Sequence, residues 1–249
     1  MNPIIQQLLN HRTYRQFQRG ETLAADTVDT IIACAQQAPS WMNGQHYTLL
    51  NIADPALRAQ IAELQPNNPQ IAECALYLIF IADLHKADLC RQTYEGSFAA
   101  AGTPDAFMTA VTDASLAAQN ALIAAESLGY ATCFTGGIRL IAPQLVELLG
   151  LPEHTFPLFG LCIGSPAVEM RLKPRLPRAA VYAENRYPSD ETLLDNLAAY
   201  EQTMTDFGEA REKLPYREKF ARFYSNPYAP DNIELMQRMG WLNWYSGFN

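Results

Sequence analysis

The sequence predicts an α/β or α+β fold in which helices pack on a central sheet. Helical and strand-like patterns alternate up to about residue 165, which is typical of such layered folds. A continuous apolar run at residues 75–82 predicts a fully buried strand. With 249 residues and 49% hydrophobic side chains, the chain can bury a sizeable core without disulfides or a structural metal.

Local patterns predict the individual elements. Apolar residues that recur on one face indicate helices, and short apolar runs indicate strands. Asp26 is the predicted N-cap of the second helix, and Asp54 followed by Pro55 predicts the start of the third. In chain order, we expect helices near 4–9 and 28–35, a strand at 46–53, a helix from 54, a strand at 75–83, a long helix from Asp105 to Gly129, a strand at 130–137, a short helix at 143–150 and a strand at 157–164.

The chain changes character after about residue 165. Residues 167–188 are rich in proline and arginine and lack periodicity, which predicts an extended excursion over a surface. The residues that follow resemble helices with exposed charge and aromatic contacts. We therefore expect a single domain over residues 1–249, with a core at about 1–165 and a C-terminal excursion at about 166–249.

Charge and composition exclude several classes of partner. The 18 basic and 26 acidic residues give a formal charge of −8, which argues against nucleic acid and anionic membrane surfaces. The apolar run at 75–82 is far shorter than the roughly 20 residues that cross a bilayer. Five dispersed cysteines without a CxxC pair indicate reduced thiols in a cytoplasmic protein, and no metal site is expected.

Unusual polar groups collect in a few segments of this acidic chain. Two arginines and a hydroxyl at residues 11–15 are suited to grip a phosphate, and residues 38–45 offer hydroxyl and amide donors. Residues 173–175 place a proline between two cations, and two glycines at 136–137 leave backbone N–H groups open to a flat ligand. Taken singly, each segment also fits an ordinary cap, turn or surface loop.

Hydrolytic and common nucleotide-binding motifs do not occur in the sequence. GxSxG, HExxH, GxGxxG and the P-loop pattern are all missing, and the four histidines have no nucleophile or acid at a telling spacing. The chain offers donors and cations but no evident acid, base or nucleophile. Such a composition favours a protein whose bound cofactor performs the reaction.

Five co-linear motifs make the prediction specific. They are HRTYRQF from residue 11, APSWMNGQ at 38–45, ALIAAESLGYATCFTGGIR at 121–139, PLFGLCIGSP at 157–166 and KPRLP at 173–177. Their order and spacing resemble the nitroreductase superfamily. Within it, the chain is most similar to the group of oxygen-insensitive NADPH nitroreductases and NADPH:flavin oxidoreductases (the flavin reductase P group).

This resemblance implies an α+β fold with a central, mostly antiparallel sheet. It also implies a homodimer with FMN in each of two sites at the interface. Two electrons would pass from NADPH through FMN to nitroaromatics, quinones or flavins, with ping-pong kinetics because donor and acceptor share one site. No catalytic side chain is then required, since the flavin nitrogen N5 accepts the hydride.

The resemblance also assigns cofactor-binding residues. A fixed Lys or Arg near the N1 and O2 edge of the flavin stabilises the charge that develops on reduction. Asn68 stands where the group usually has a glutamine. The assigned residues are His11, Arg12, Thr13 and Arg15 at the phosphate and pyrimidine edge, Ser40, Asn43 and Gln45 in a lining loop, Asn68 at the ring edge, Phe134, Thr135, Gly136 and Gly137 facing the ring, and Lys173 and Arg175 as a second cationic clamp.

The coenzyme is predicted from a basic stretch of the excursion. By resemblance, Arg211 and Arg217 are candidates to hold the 2′-phosphate of NADPH, and NADH remains possible as a donor. Glu209, Glu212 and Glu218 alternate with these cations, so a solvated helical face with i,i+4 ion pairs explains the stretch equally well.

The long helix from Asp105 carries alanines on more than one face, so it must be buried in a core or between subunits. Because the resemblance implies an extensive dimer, we assign the helix to the interface. Two alternatives to the predicted function stay open. One is a flavin-dependent dehalogenation or oxidation, as in other members of the superfamily, and the other is a slow flavin-binding sensor protein.

Overall fold

The computed structural model describes residues 2–209 and 212–242. The chain forms two compact units, one made of the residues up to Met170 together with those from Asp231 onward, the other of Arg171–Pro230. Within the described residues, no helix is long and apolar enough to cross a membrane.

A four-stranded antiparallel sheet forms the centre of the first unit. The strands are β1 (Tyr47–Asn51), β2 (Leu76–Asp83), β3 (Ala131–Thr135) and β4 (Thr155–Gly164), in the order β1-β2-β4-β3. All eight residues of β2 are buried. The apolar run at 75–82 is therefore a strand covered on both faces, and the predicted antiparallel sheet is confirmed.

Helices cover both faces of this sheet, and two separate apolar clusters lie against it. The N-cap of the second helix is Ala24, so the prediction of Asp26 is wrong; Asp26 lies in the first turn, where its charge favours the helix N-terminus. Asp54 caps its helix as predicted, accepting the N–H of Ala56. The helices are α1 (Pro3–Leu9), α2 (Ala25–Gln36), α3 (Pro55–Leu64), α4 (Gln70–Glu73), α5 (His85–Thr93), α6 (Pro104–Ser127) and α7 (Ala142–Leu149).

The long helix α6 packs on the sheet and on α2 through small side chains. Thr103 caps it, and Gly129 follows its end with a φ of 89°, a conformation that glycine adopts without strain. Its buried face is built mainly of alanine, which lets the backbones of neighbouring elements approach closely. The buried residues are Ala110, Asp113, Ala114, Ala117, Ala118, Ala121, Leu122, Ala124 and Ala125.

Tyr77 crosses the central strand β4 above Gly160. A Cβ atom at Gly160 would lie 2.2 Å from the Tyr77 hydroxyl oxygen, so only glycine leaves room for the ring. The hydroxyl of Tyr77 lies 3.0 Å from Oγ1 of Thr135 at the end of β3. Because Tyr77 is fully buried, its hydroxyl needs this partner. The contact therefore links β2 to the last residue of β3.

The C-terminal unit contains α8 (Asp190–Phe207) and α9 (Tyr216–Phe223), preceded by a 3₁₀ turn at Arg178–Ala180. Arg171 donates to the carbonyl oxygens of Phe207 and Gly208 at the end of α8. The last described helix, α10 (Asn232–Arg238), belongs to the first unit. After it, Trp241 is fully buried and donates from Nε1 to the carbonyl of Thr155 at 2.9 Å.

Candidate functional site

The segment His11–Arg15 lies beside the start of β3. Thr13 forms an isolated bridge with Thr132, and the N–H of Tyr14 donates to the carbonyl of Thr132 at 3.0 Å. Two of the predicted cofactor-binding segments, at 11–15 and 134–137, are thus brought to the same strand.

One guanidinium of this segment has an unsatisfied donor. The Nε atom of Arg12 is buried and has no hydrogen-bond partner among the described residues. A buried donor without a partner costs about 1–3 kcal/mol, so the site is suited to an anion that would accept this hydrogen bond. Arg15 is half-buried and adds a second cation to the segment.

Residues Ser40–His46 form a tight loop before β1. The N–H of Gln45 donates to the Ser40 hydroxyl at 3.2 Å, and the Nε2 amide of Gln45 donates to the carbonyl of Asn43 at 3.3 Å. Among the described residues, none of the loop's hydrogen bonds reaches residues 11–15 or the end of β3. The loop is held by Asp113 of α6 instead.

The end of β3 leads directly into a 3₁₀ helix at Gly136–Ile141. Thr135 is buried, whereas the ring of Phe134 is 38% exposed and packs edge-on against Phe159. The end of the strand thus carries a partly exposed aromatic ring followed by two glycines.

The side chain of Asn68 lies close to Gly137. A Cβ atom at Gly137 would come 2.7 Å from Nδ2 of Asn68, so the glycine makes this approach possible. Gln65, which is 2% exposed, donates from Nε2 to the carbonyl of Gly137 at 2.7 Å. The sequence analysis did not identify Gln65. The only indication in the sequence is its position in a polar connection, three residues before Asn68.

Lys173 and Arg175 belong to the C-terminal unit and are held by its own residues. Nζ of Lys173 lies 3.2 Å from Oε1 of Glu212 and 3.6 Å from Oε2 of Glu209. Arg175 donates to the carbonyl of Lys173, and the Tyr200 hydroxyl donates to the carbonyl of Pro174. The predicted clamp is thus an irregular segment whose lysine is already paired with carboxylates.

Glu212 joins two lysines in this unit. Its Oε2 accepts from Lys219 at 2.7 Å, while its Oε1 accepts from Lys173. These two ammonium groups, Lys219 first, hold the pKa of Glu212 below its ordinary value. A cavity of about 480 Å³ opens beside them, lined also by Glu201 and Tyr216.

Of the two arginines predicted to hold the 2′-phosphate of NADPH, Arg217 lies within the described residues. It is paired with Glu201 of α8. Its Nη2 and Nε lie 2.7 and 3.2 Å from Oε1 of Glu201, and its backbone N–H donates to Oε2 at 2.9 Å. Hydrogen bonds from Arg217 lower the pKa of Glu201, and Glu201 raises that of Arg217. The other candidate, Arg211, lies outside the described residues.

Among residues 2–209 and 212–242, no group of three or more His, Cys, Asp or Glu side chains is placed to hold a metal ion. The cations, amides and hydroxyls of the candidate segments are groups that bind phosphate and polar ring edges.

Comparison with known proteins identifies the family. Residues 8–165 match the Nitroreductase family, and residues 173–243 match the Nitroreductase family, C-terminal domain. The chain is 32% identical to an FMN reductase [NAD(P)H] of Bacillus subtilis over 245 residues, which are 96% of this chain and 98% of the relative. It is 34% identical to the oxygen-insensitive NADPH nitroreductase of Salmonella typhimurium, over 97% of this chain and 99% of that protein.

A solved structure shows the same fold. The NfrA1 nitroreductase of Bacillus subtilis superimposes with a TM-score of 0.90 at 30% identity, over 96% of this chain and 99% of that one. The family matches, the full-length relatives and the shared fold lead to one conclusion: the chain belongs to the nitroreductase family.

Proposed function

We propose that this protein is an FMN-dependent oxidoreductase that passes two electrons from NAD(P)H to a small-molecule acceptor, namely a nitroaromatic, a quinone or a flavin. The observation that carries the proposal is the buried, unpartnered Nε of Arg12, which lies in a segment joined to the strand that ends in Gly136 and Gly137. Family membership and the names of the full-length relatives support the same reaction class.

The residues present fit FMN. Arg12 and Arg15 supply cationic donors for the phosphate, and His11 and Thr13 add two further polar side chains to the segment. At the other end of β3, Gly136 and Gly137 present backbone without side chains. Asn68 supplies an amide close to Gly137, as a polar ring edge requires. Ser40, Asn43 and Gln45 would line the cofactor from their loop.

Bound FMN would supply the hydride-accepting and hydride-donating chemistry that the side chains of this chain lack. The chain's own residues bind and orient it. Lys173 and Arg175 are the proposed cations for the pyrimidine edge, where fixed positive charge stabilises the reduced form. Since Glu209 and Glu212 share Lys173, its charge is partly compensated, which moderates this stabilisation.

Donor and acceptor would use the same open side of the site in turn, so ping-pong kinetics are expected. We also infer a homodimer in the cytoplasm, with one FMN-binding domain over residues 1–249 and a C-terminal excursion that covers the site. The alanine-rich α6 lies largely within the core of its own unit. Its role in the dimer interface therefore depends on its exposed positions, such as Leu116, which is 39% exposed.

The visible spectrum of the purified protein tests the proposal. We expect flavin bands that bleach on addition of NADPH and return on addition of a quinone or a nitrofuran. A colourless protein that does not take up added FMN would contradict it, and rapid oxidation of NADPH in the presence of a quinone or a nitrofuran would exclude a slow sensor. Light scattering tests the dimer separately. A monomer that still oxidises NADPH would contradict the proposed dimer and its shared site, but not the proposed reaction.

A further inference from the structure

The carboxylate of Asp113 anchors both ends of the loop before β1. Asp113 lies on α6 and is 2% exposed. Its Oδ1 accepts the backbone N–H of Trp41 at 2.9 Å, and its Oδ2 accepts that of His46 at 3.1 Å. Nδ1 of the His46 ring also lies 2.8 Å from Oδ2. Three donors thus satisfy one buried carboxylate, which is the arrangement that a buried charge requires.

The loop between these two anchors has an uncommon backbone. Met42, Asn43 and Gln45 have φ values of 50°, 56° and 51°, so three non-glycine residues within four positions are left-handed. Such conformations are costly outside glycine and persist only where the surroundings impose them. Asn43 tolerates this conformation best, whereas Met42 and Gln45 gain nothing from it locally.

Gly44, the remaining residue at positions 42–45, makes room for the contact between His46 and Asp113. A Cβ atom at Gly44 would lie 2.2 Å from Cε1 of His46, so the glycine leaves space for the ring that reaches Asp113. The loop consequently holds its side chains outward: Trp41 is 64% exposed and Met42 is 85% exposed. The loop is strained, exposes apolar side chains and is hydrogen-bonded at both ends to a buried carboxylate. Asp113 therefore fixes its conformation.

We propose that Asp113 is a positioning residue for FMN, because it fixes the loop that presents Ser40, Asn43 and Gln45. The inference rests on the proposed function, in which this loop lines the flavin. Asp113 itself touches no part of the cofactor in this assignment. It acts through the two backbone N–H groups and the His46 ring, and without its charge the left-handed residues would relax.

Asp113→Asn tests the proposal, because it keeps the shape of the side chain and removes its charge. Asp105→Asn is the matched control, since Asp105 is an exposed carboxylate on the same helix. In FMN-free protein, we expect faster hydrogen exchange at the Trp41 and His46 amides of the first variant. We also expect its Kd for FMN, from flavin fluorescence, to rise about tenfold, which is the loss expected for one charge-assisted hydrogen bond.

His46 supplies a second series if Asp113→Asn does not fold. His46→Asn retains an N–H near the position of Nδ1, whereas His46→Ala removes it. We expect His46→Asn to bind FMN nearly as tightly as wild type, and His46→Ala to bind several-fold more weakly, with faster exchange at Trp41. A merely structural role would lower stability in both variants without this difference in FMN affinity.

Three results would overturn the inference. Unchanged exchange at Trp41 and His46 in Asp113→Asn would show that the carboxylate does not hold the loop. Faster exchange with an unchanged FMN Kd would show that the loop does not serve the cofactor. Wild-type protein that does not bind FMN would instead refute the proposed function, and the loop's role would fall with it.

Discussion

Nδ1 of His11 lies 2.7 Å from Oε1 of Glu126, and the same oxygen accepts the hydroxyl of Thr132 at 2.7 Å. An ionised carboxylate only accepts hydrogen bonds, so it holds the proton of His11 on Nδ1. Since Thr132 also bridges Thr13, Glu126 joins the segment at residues 11–15 to β3 from the side of α6. This contact holds in place the segment that contains Arg12.

Glu126→Gln is expected to weaken FMN binding by about tenfold, because the amide oxygen that replaces Oε1 carries no negative charge and accepts weaker hydrogen bonds from His11 and Thr132. Titration of the FMN-free protein with FMN measures the effect. Glu147→Gln, at an exposed position of α7, is the control. Equal affinities of the two variants would contradict the proposed role of this contact.

Glu201→Gln is expected to raise the preference for NADPH over NADH. The guanidinium of Arg217 is hydrogen-bonded to Glu201. Removal of the negative charge of Glu201 would leave this guanidinium free to bind a 2′-phosphate. The ratio of kcat/KM for the two coenzymes should rise by about fivefold, a modest coupling typical of a partly exposed ion pair. Glu191→Gln, on the exposed first turn of the same helix, should leave the ratio as it is; a similar ratio in both variants would remove Arg217 as a coenzyme ligand.

Gly160→Ala is expected to lower the free energy of unfolding by about 1–3 kcal/mol, because the methyl group would displace the ring of Tyr77. Urea unfolding followed by circular dichroism measures the change. Gly96→Ala is the control, since its Cβ would meet only Cγ of Arg91 at an ordinary 3.4 Å. A Gly160→Ala protein as stable as wild type would show that Tyr77 can move aside.

Tyr77 also predicts a loss of stability at high pH. Burial raises the pKa of its hydroxyl well above the ordinary value near 10. Above that ordinary value the unfolded chain releases the proton and the folded chain keeps it, so the free energy of unfolding falls as pH rises beyond about 10. Tyr77→Phe removes this contribution, and its stability should decline less steeply between about pH 10 and pH 11, the first unit above the ordinary tyrosine pKa. Parallel curves for the two proteins would count against it.

The sequence predicted the sheet better than it predicted the side-chain contacts between distant segments. Apolar continuity identified β2 and β4 because burial on both faces leaves no polar position. Asp113 left one signal, a lone carboxylate among the alanines of α6, but its partners lie 67 and 72 residues away and no local pattern reveals them.

The coenzyme segment illustrates a second limit. The acidic residues near Arg217 suggested pairing within one helix, yet its partner is Glu201, 16 residues away on α8. A charge pattern reports which ions are neighbours along one helix, whereas pairing between helices depends on how they pack. The segment roles assigned to Lys173 and Arg175 stay predictions for the same reason.

The alanine-rich helix α6 carries both Asp113 and Glu126, and this sets a constraint on its length. Thirteen residues of α-helix separate them, which amounts to about 20 Å and a rotation of roughly 220°. The two carboxylates thus point to different sides of one rigid rod, each toward its own histidine. Insertion or deletion of a single residue between them would turn one carboxylate by about 100° and release either His11 or His46. Both the distance and the rotation between the two carboxylates of α6 therefore determine whether His11 and His46 keep their partners.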